Sequence, residues 1–101
     1  MQILAIDTMS PDVEDAQLRP HLPEELAATV KLYLNETIRN FYFRKDRPGV
    51  VFIMESDSLE TARATLNRLP LVEVGLLDFE LIPIGPLMPL ANLIPGLEGT
   101  L

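Results

Sequence analysis

The chain has 101 residues, a net charge of −7 and 48% hydrophobic residues, which is typical of one folded domain and excludes a disordered chain. It contains no cysteine and one histidine, so disulfide bonds, thiolate metal sites and multi-histidine metal sites within one subunit are excluded. All but one of the eight basic residues lie between Lys31 and Arg68, and the acidic balance argues against a nucleic-acid partner, because phosphate binding requires a positive face.

The N-terminal segment Met1–Thr8 is short and apolar on both faces, and Ser10-Pro11 follows it, so it predicts a strand. It has neither the charged start of a signal peptide nor the length of a membrane span, which predicts a cytoplasmic protein with no membrane partner. The polar, proline-containing segment from Ser10 to Leu22 is predicted to be a loop, either a lid over a pocket or an inert surface excursion.

A first helix is predicted to begin at Pro23, since proline suits the first helical position and two glutamates follow at the positive end of the helix dipole. Its apolar residues recur with the helical period and predict one buried stripe, made of Leu26, Val30, Tyr33, Leu34 and Thr37. The next segment, 38–44 (IRNFYFR), alternates in character and predicts a second strand.

A tight turn at Asp46–Gly49 is predicted to join this strand to a third strand at Val50–Met54, forming an antiparallel hairpin. Asp57, followed three residues later by Glu60, is a capping-box pattern that predicts the start of a second helix. Pro70 is predicted to end that helix.

The fourth strand is predicted at Leu76–Ile84, where Pro83 indicates an edge position or a strand end. The order β-α-β-β-α-β with right-handed crossovers is the ferredoxin-like arrangement of the α+β class, here over residues 1–86. It predicts a four-stranded antiparallel sheet of order 4-1-3-2 with two helices on one face. The strands that are apolar on both faces, Met1–Thr8 and Val50–Met54, are the two that this order places in the centre.

Two helices cover only one face of such a sheet, so one member of each of the pairs Ile3/Leu4 and Phe52/Ile53 needs a different cover. A homodimer joined sheet to sheet, or a higher homo-oligomer, provides it most simply. Residues 87–101 form an apolar tail broken by proline and glycine. We predict that this tail is an arm that packs on the partner subunit, on its own subunit, or over the mouth of a pocket.

The stretch 46–86 resembles the muconolactone isomerase-like family in three features: a strand ending in Glu55-Ser56, a helix ending in the tripeptide 69–71 (LPL), and a final strand of acidic–apolar alternation ending in Ile-Pro. With the N-terminal strand and the Pro-Glu-Glu-Leu helix start, the resemblance covers about three quarters of the chain. It implies a dimeric α/β barrel, often assembled into larger rings. The namesake of the family moves a proton in an unsaturated lactone without cofactor or metal, so the resemblance implies none here.

Candidate catalytic residues follow from the chemistry of proton transfer, which needs a carboxylate or histidine and a donor that stabilises the enolate. Asp7, at the end of a central strand, is a candidate base; the alternative is a solvated strand end or a helix cap. His21 is a second candidate, or a surface histidine. Asp78 and Glu80 form either an acid/base pair or the wetted face of an edge strand.

Candidate binding residues lie on the second strand, where Tyr42 and Arg44 share a face with Asn40 and are suited to a carboxylate ligand. A salt bridge between subunits explains Tyr42 and Arg44 equally well. Tyr33 is predicted in the core, with its hydroxyl at the rim of a pocket. The sequence therefore supports a cofactor-free isomerase or proton-transfer enzyme acting on a small organic acid. The alternatives are a non-catalytic module for a small apolar or acidic ligand, and a structural oligomerisation domain.

Overall fold

The computed structural model describes residues 1–87, 93, 94 and 96. Four strands form one antiparallel sheet in the order β2-β3-β1-β4, which is the predicted order read from the opposite edge. The elements are β1 (Gln2–Asp7), α1 (Asp15–Leu18), a 3-10 turn (Arg19–His21), α2 (Leu22–Leu34), β2 (Ile38–Phe43), β3 (Val50–Glu55), α3 (Leu59–Leu66), α4 (Pro70–Glu73) and β4 (Phe79–Ile84). The predicted α+β, ferredoxin-like architecture is confirmed, with the short helices α1 and α4 added to it.

The core lies between the sheet and the helices. Successive side chains of a strand point to opposite faces, so Ile3 and Ala5 of β1 share the inner face with their partners Met54 and Phe52 of β3. Helix α2 packs along β2 and α3 packs along β4 on this face. The buried cluster contains Ile3, Ala5, Ile38, Phe52, Met54, Ala62, Leu66, Leu69, Leu71, Leu77 and Phe79.

Helix α2 is rotated relative to the predicted orientation. Of the predicted buried stripe, Leu26 is 65% exposed and Leu34 is 73% exposed, so that prediction is wrong. The buried residue of α2 is Glu25, and Ala28 and Leu32 pack against the core on the same side. Positions 25, 28 and 32 also follow the helical period, so periodicity alone predicts the helix but not which of the two stripes faces inward.

Three predicted boundaries also need correction. The predicted loop 10–22 contains α1 and the 3-10 turn, because Glu14 and Gln17 form a reciprocal capping box that starts a helix. Pro70 begins α4, whereas α3 has already ended at Leu66. The fourth strand begins at Phe79, three residues later than predicted.

The outer face of the sheet carries the apolar residues that the helices leave uncovered. Leu4 and Ile53 are half-buried there, and Ile82 and Ile84 are exposed. The homodimer that would cover this face stays a prediction. The predicted arm, 87–101, lies outside the described residues except at positions 87, 93, 94 and 96.

The end of β1 is joined to the start of β3 through the side chain of Asp7. The backbone N–H of Val50 donates a hydrogen bond to Oδ2 of Asp7 over 3.1 Å. Gly49 precedes it, and a Cβ atom at that position would lie 2.9 Å from the same oxygen. The predicted turn therefore needs glycine at position 49 for two reasons: its φ of +156° is one that L residues rarely adopt, and the carboxylate of Asp7 occupies the space of a side chain.

Substitution of the N-cap residue tests whether α3 starts at the observed cap or at the predicted one. Oγ of Ser58 accepts a hydrogen bond from the N–H of Thr61 over 3.1 Å, so the cap is Ser58 and the predicted cap Asp57 is wrong. Ser58→Ala should lower the free energy of unfolding by about 1 kcal/mol, measured by chemical denaturation. Asp57→Ala is the control and should change it by less than about 0.5 kcal/mol. A larger loss in Asp57→Ala would contradict the assignment.

Substitution of Gly49 tests the packing of the hairpin on Asp7. Gly49→Ala should lower the free energy of unfolding by about 1 to 3 kcal/mol, because the new methyl group and the carboxylate must move apart. Gly85→Ala is the control, since nothing lies within 4 Å of a Cβ atom built there. Equal stabilities of the two variants in urea denaturation would show that neither the carboxylate of Asp7 nor the positive φ of Gly49 restricts the turn.

Candidate functional site

A pocket of about 520 Å³ lies between helix α2 and the inner face of the sheet, and we call it the α2–sheet pocket. Most of its lining residues are apolar, and leucine and phenylalanine are the commonest of them. Apolar walls with a few polar groups are typical of small-molecule sites. The polar side chains among the described lining residues include Asp7, Glu25, Thr29 and Arg44.

The pocket opens to solvent between α2 and the edge strand β2. Leu26 of α2 is 65% exposed and Phe43 of β2 is 83% exposed, and both line the pocket. Phe41, also a lining residue, is about half-exposed beside them. These apolar residues, which the sequence placed in the core or on strand faces, therefore form the entrance.

Asp7 lies in the wall of the pocket, at the end of the central strand β1. Its side chain is almost fully buried, so the predicted alternative of a solvated strand end does not describe it. Oδ1 accepts a hydrogen bond from the N–H of Met9 over 2.6 Å, and Oδ2 accepts one from Val50. Nη1 of Arg47 lies 3.6 Å from Oδ1. Two N–H donors and a guanidinium are the surroundings that a carboxylate requires when it is buried.

Glu25 is the second carboxyl group of the pocket, and the sequence interpretation missed it. Its side chain is 9% exposed, and Oε1 accepts a hydrogen bond from the N–H of Leu71 over 2.9 Å. Burial raises the pKa of the Glu25 carboxyl, and the hydrogen bond from Leu71 offsets part of that effect. Its position three residues before Ala28 and seven before Leu32 was the available signal, since all three share one helix face.

The two carboxyl groups therefore experience opposite environments in one pocket. Asp7 has two backbone N–H donors and the guanidinium of Arg47 beside it, whereas Glu25 has one N–H donor and mainly apolar neighbours. A pair of acids separated in this way is suited to general base and general acid roles.

Arg44 lines the pocket, but its guanidinium is already engaged. Nε and Nη2 donate to the two carboxylate oxygens of Asp46 over 2.9 and 2.5 Å, and Nη1 donates to the backbone oxygen of Asp7 over 3.1 Å. The ion pair raises the pKa of Arg44 and lowers that of Asp46 to about 2. The fork of Arg44 therefore faces a carboxylate of its own hairpin.

The other predicted binding residues are only partly brought together. Tyr42 lines the pocket and is exposed, whereas Asn40 is exposed on the same strand and does not line it. Tyr33 is 47% exposed and contacts Phe41 edge to face, with ring centroids 5.2 Å apart. Tyr33 thus supports the entrance of the pocket from outside, rather than lying in the core.

The remaining candidates lie away from this pocket. His21 ends the 3-10 turn, is half-buried and is not a lining residue. Asp78, just before β4, pairs with Arg63 of α3 over 3.0 Å, and Glu80 is exposed. The described residues contain no group of three or more acidic, histidine or cysteine side chains placed to hold a metal ion. Within the same residues, no helix combines the length and apolar character needed to cross a membrane.

Comparison with known proteins finds solved structures that resemble the chain, whereas no family model and no curated protein matches it. Muconolactone isomerase superposes with a TM-score of 0.68 at 19% identity, over 85% of this chain and 90% of the other. The 5-chloro-2-hydroxyhydroquinone dehydrochlorinase TftG from Burkholderia phenoliruptrix AC1100, solved with 2,5-dihydroxybenzoquinone, superposes with a TM-score of 0.62 at 19% identity, over 84% and 94%. The identity is low and the coverage nearly complete, so the likeness concerns the fold. The chain has the muconolactone isomerase-like fold.

Proposed function

We propose that this protein catalyses a cofactor-free proton transfer on a small organic molecule bound in the α2–sheet pocket. The observation that supports the proposal is the presence of two buried carboxyl groups in the wall of one pocket: Asp7, which accepts backbone N–H groups beside Arg47, and Glu25, whose pKa is raised by burial. Two solved structures that share the fold are named for enzymes of small organic molecules, an isomerase and a dehydrochlorinase.

In the proposed reaction, a carboxylate oxygen of Asp7 removes a proton from a carbon next to a carbonyl group of the substrate. The electrons of that C–H bond form a C=C bond, and the carbonyl electrons move onto oxygen to give an enolate. Protonated Glu25 donates a hydrogen bond to the enolate oxygen, which stabilises the developing charge. Asp7 then returns the proton to another carbon of the conjugated system, and the carbonyl re-forms. Atoms and charge balance, so no cofactor is needed.

Non-catalytic binding is the second candidate, and the hydrogen bonds of Asp7 favour it. Both carboxylate oxygens already accept backbone N–H groups, and Arg47 lies beside one of them. In this alternative, Asp7 holds the hairpin and the pocket binds its ligand through apolar contacts. The two candidates differ in whether Asp7 exchanges a proton with a bound molecule.

The base is tested with α-angelica lactone, a neutral β,γ-unsaturated lactone whose conversion to the α,β-unsaturated isomer in D₂O is followed by proton NMR. Wild type should accelerate the conversion over buffer, and Asp7→Asn should lower the rate about 10² to 10⁴-fold. Asp78→Asn is the control, because Asp78 does not line the pocket. Isomerisation that persists in a folded Asp7→Asn variant, or wild type that does not exceed buffer, would contradict the proposal.

The role of Glu25 is tested by the pH dependence of the same reaction. Since the protonated carboxyl supplies the hydrogen bond, the wild-type rate should fall as the pH rises through the raised pKa of Glu25. Glu25→Gln keeps an N–H donor that does not titrate, so this decline should disappear. Glu24→Gln, at the exposed neighbouring position, should keep it. An unchanged decline in Glu25→Gln would exclude Glu25 as the acid.

A further inference from the structure

The charges of the α2–sheet pocket indicate which ligands it accepts. Among the described lining residues, the acidic and basic side chains are those of Asp7, Glu25 and Arg44. Two of these three are acids. A ligand carboxylate would therefore depend on Arg44 for its counter-charge.

The positive charge of Arg44 is already paired with the carboxylate of Asp46 before any ligand enters. Its fork binds both oxygens of Asp46, and its remaining terminal nitrogen donates to the backbone oxygen of Asp7. The bidentate arrangement is the strongest that a guanidinium makes with a carboxylate, and the side chain of Arg44 is only 21% exposed within it.

Arg47, a second cation near the pocket, is also engaged. Nη1 donates to the backbone oxygen of Pro48 over 2.9 Å, and Nη2 donates to the backbone oxygen of Asp7 over 2.5 Å. Its charge faces the side chain of Asp7 at 3.6 Å. Each of the two arginines thus has an acidic partner within the hairpin and the end of β1.

An anion that entered this pocket would lose its hydration among leucine and phenylalanine side chains and would gain no uncompensated cation. The loss of solvation of an unpaired ion is far larger than that of a neutral polar group. A neutral molecule with one carbonyl oxygen loses little and still finds the carboxyl group of Glu25.

We infer that the α2–sheet pocket selects neutral, apolar carbonyl compounds over carboxylates, and that Asp46 determines this selectivity by neutralising Arg44. The inference rests on the proposed function, because it names the substrate class of the same pocket. The sequence predicts either a small organic acid or an apolar molecule as the ligand. The inference selects the apolar molecule. Asp46 acts on the ligand through Arg44, so it is a specificity-determining residue and not a catalytic one.

The test uses two fluorescent probes that differ by one charged group: neutral N-phenyl-1-naphthylamine and anionic 1-anilinonaphthalene-8-sulfonate. Wild type should bind the neutral probe at least tenfold more tightly. Asp46→Asn leaves Arg44 uncompensated, so it should tighten binding of the sulfonate at least fivefold and change that of the neutral probe less than twofold. Asp78→Asn removes a similarly exposed carboxylate that pairs with Arg63 outside the pocket, and should change neither affinity.

Two further variants show whether the probes occupy the pocket. Thr29 lines it, and Thr29→Trp should abolish binding by filling the space. Thr65 makes the same hydrogen bond to the carbonyl four residues earlier in its helix but does not line the pocket, so Thr65→Trp should leave binding intact.

The outcomes separate the two claims. Equal affinity of wild type for both probes, or equal effects of Asp46→Asn and Asp78→Asn, would overturn the inference and leave the pocket as a ligand site. Failure of the neutral probe to bind, or binding that survives in Thr29→Trp, would show that the α2–sheet pocket is not a ligand site. Either result would also contradict the proposed function. A neutral preference without lactone isomerisation would support the inference and favour the binding alternative.

Discussion

The carboxylate of Asp7 is 2% exposed at the end of the central strand, and much of the surrounding structure can be understood as its solvation. A charge removed from water in this way needs hydrogen-bond donors and a counter-ion. Met9, Val50 and Arg47 supply them from the segment after β1, from the start of β3 and from the hairpin turn. Gly49 leaves the space that the carboxylate occupies. The conformation of the turn between β2 and β3 and one wall of the α2–sheet pocket therefore both depend on the buried carboxylate of Asp7.

Glu25 completes the site from the opposite side, on helix α2. Its hydrogen bond with the N–H of Leu71 joins α2 to α4 and directs the helix face that carries Glu25, Ala28 and Leu32 towards the core. The same rotation leaves Leu26 exposed at the entrance. The orientation of α2 thus connects the shape of the pocket with the protonation of its second acid.

Sequence reasoning recovered the fold because the strand pattern carries the topology. Met1–Thr8 and Val50–Met54 are apolar on both faces, and only central strands of the sheet require this. Asp7 was identifiable as a strand-end carboxylate. The spacing of Glu25 places it on one helix face with Ala28 and Leu32, but it does not show that this face is buried, because the tertiary contact that orients α2 lies 46 residues away at Leu71. The prediction of the α3 cap was wrong for a similar reason. Asp57 and Ser58 are both good capping residues, and the backbone geometry selects Ser58.

The central claim is that one pocket holds two carboxyl groups in opposite environments, and the protonation of Glu25 tests it most directly. The side-chain carboxyl carbon of Glu25 can be followed by carbon-13 NMR as the pH is raised, with Glu25→Gln used to assign the signal. The account predicts a midpoint above 4.5, the ordinary value for glutamate, because burial disfavours the charged form more than the hydrogen bond from Leu71 favours it. A midpoint at or below 4.5 would show that burial does not outweigh the hydrogen bond from Leu71 and would contradict the account.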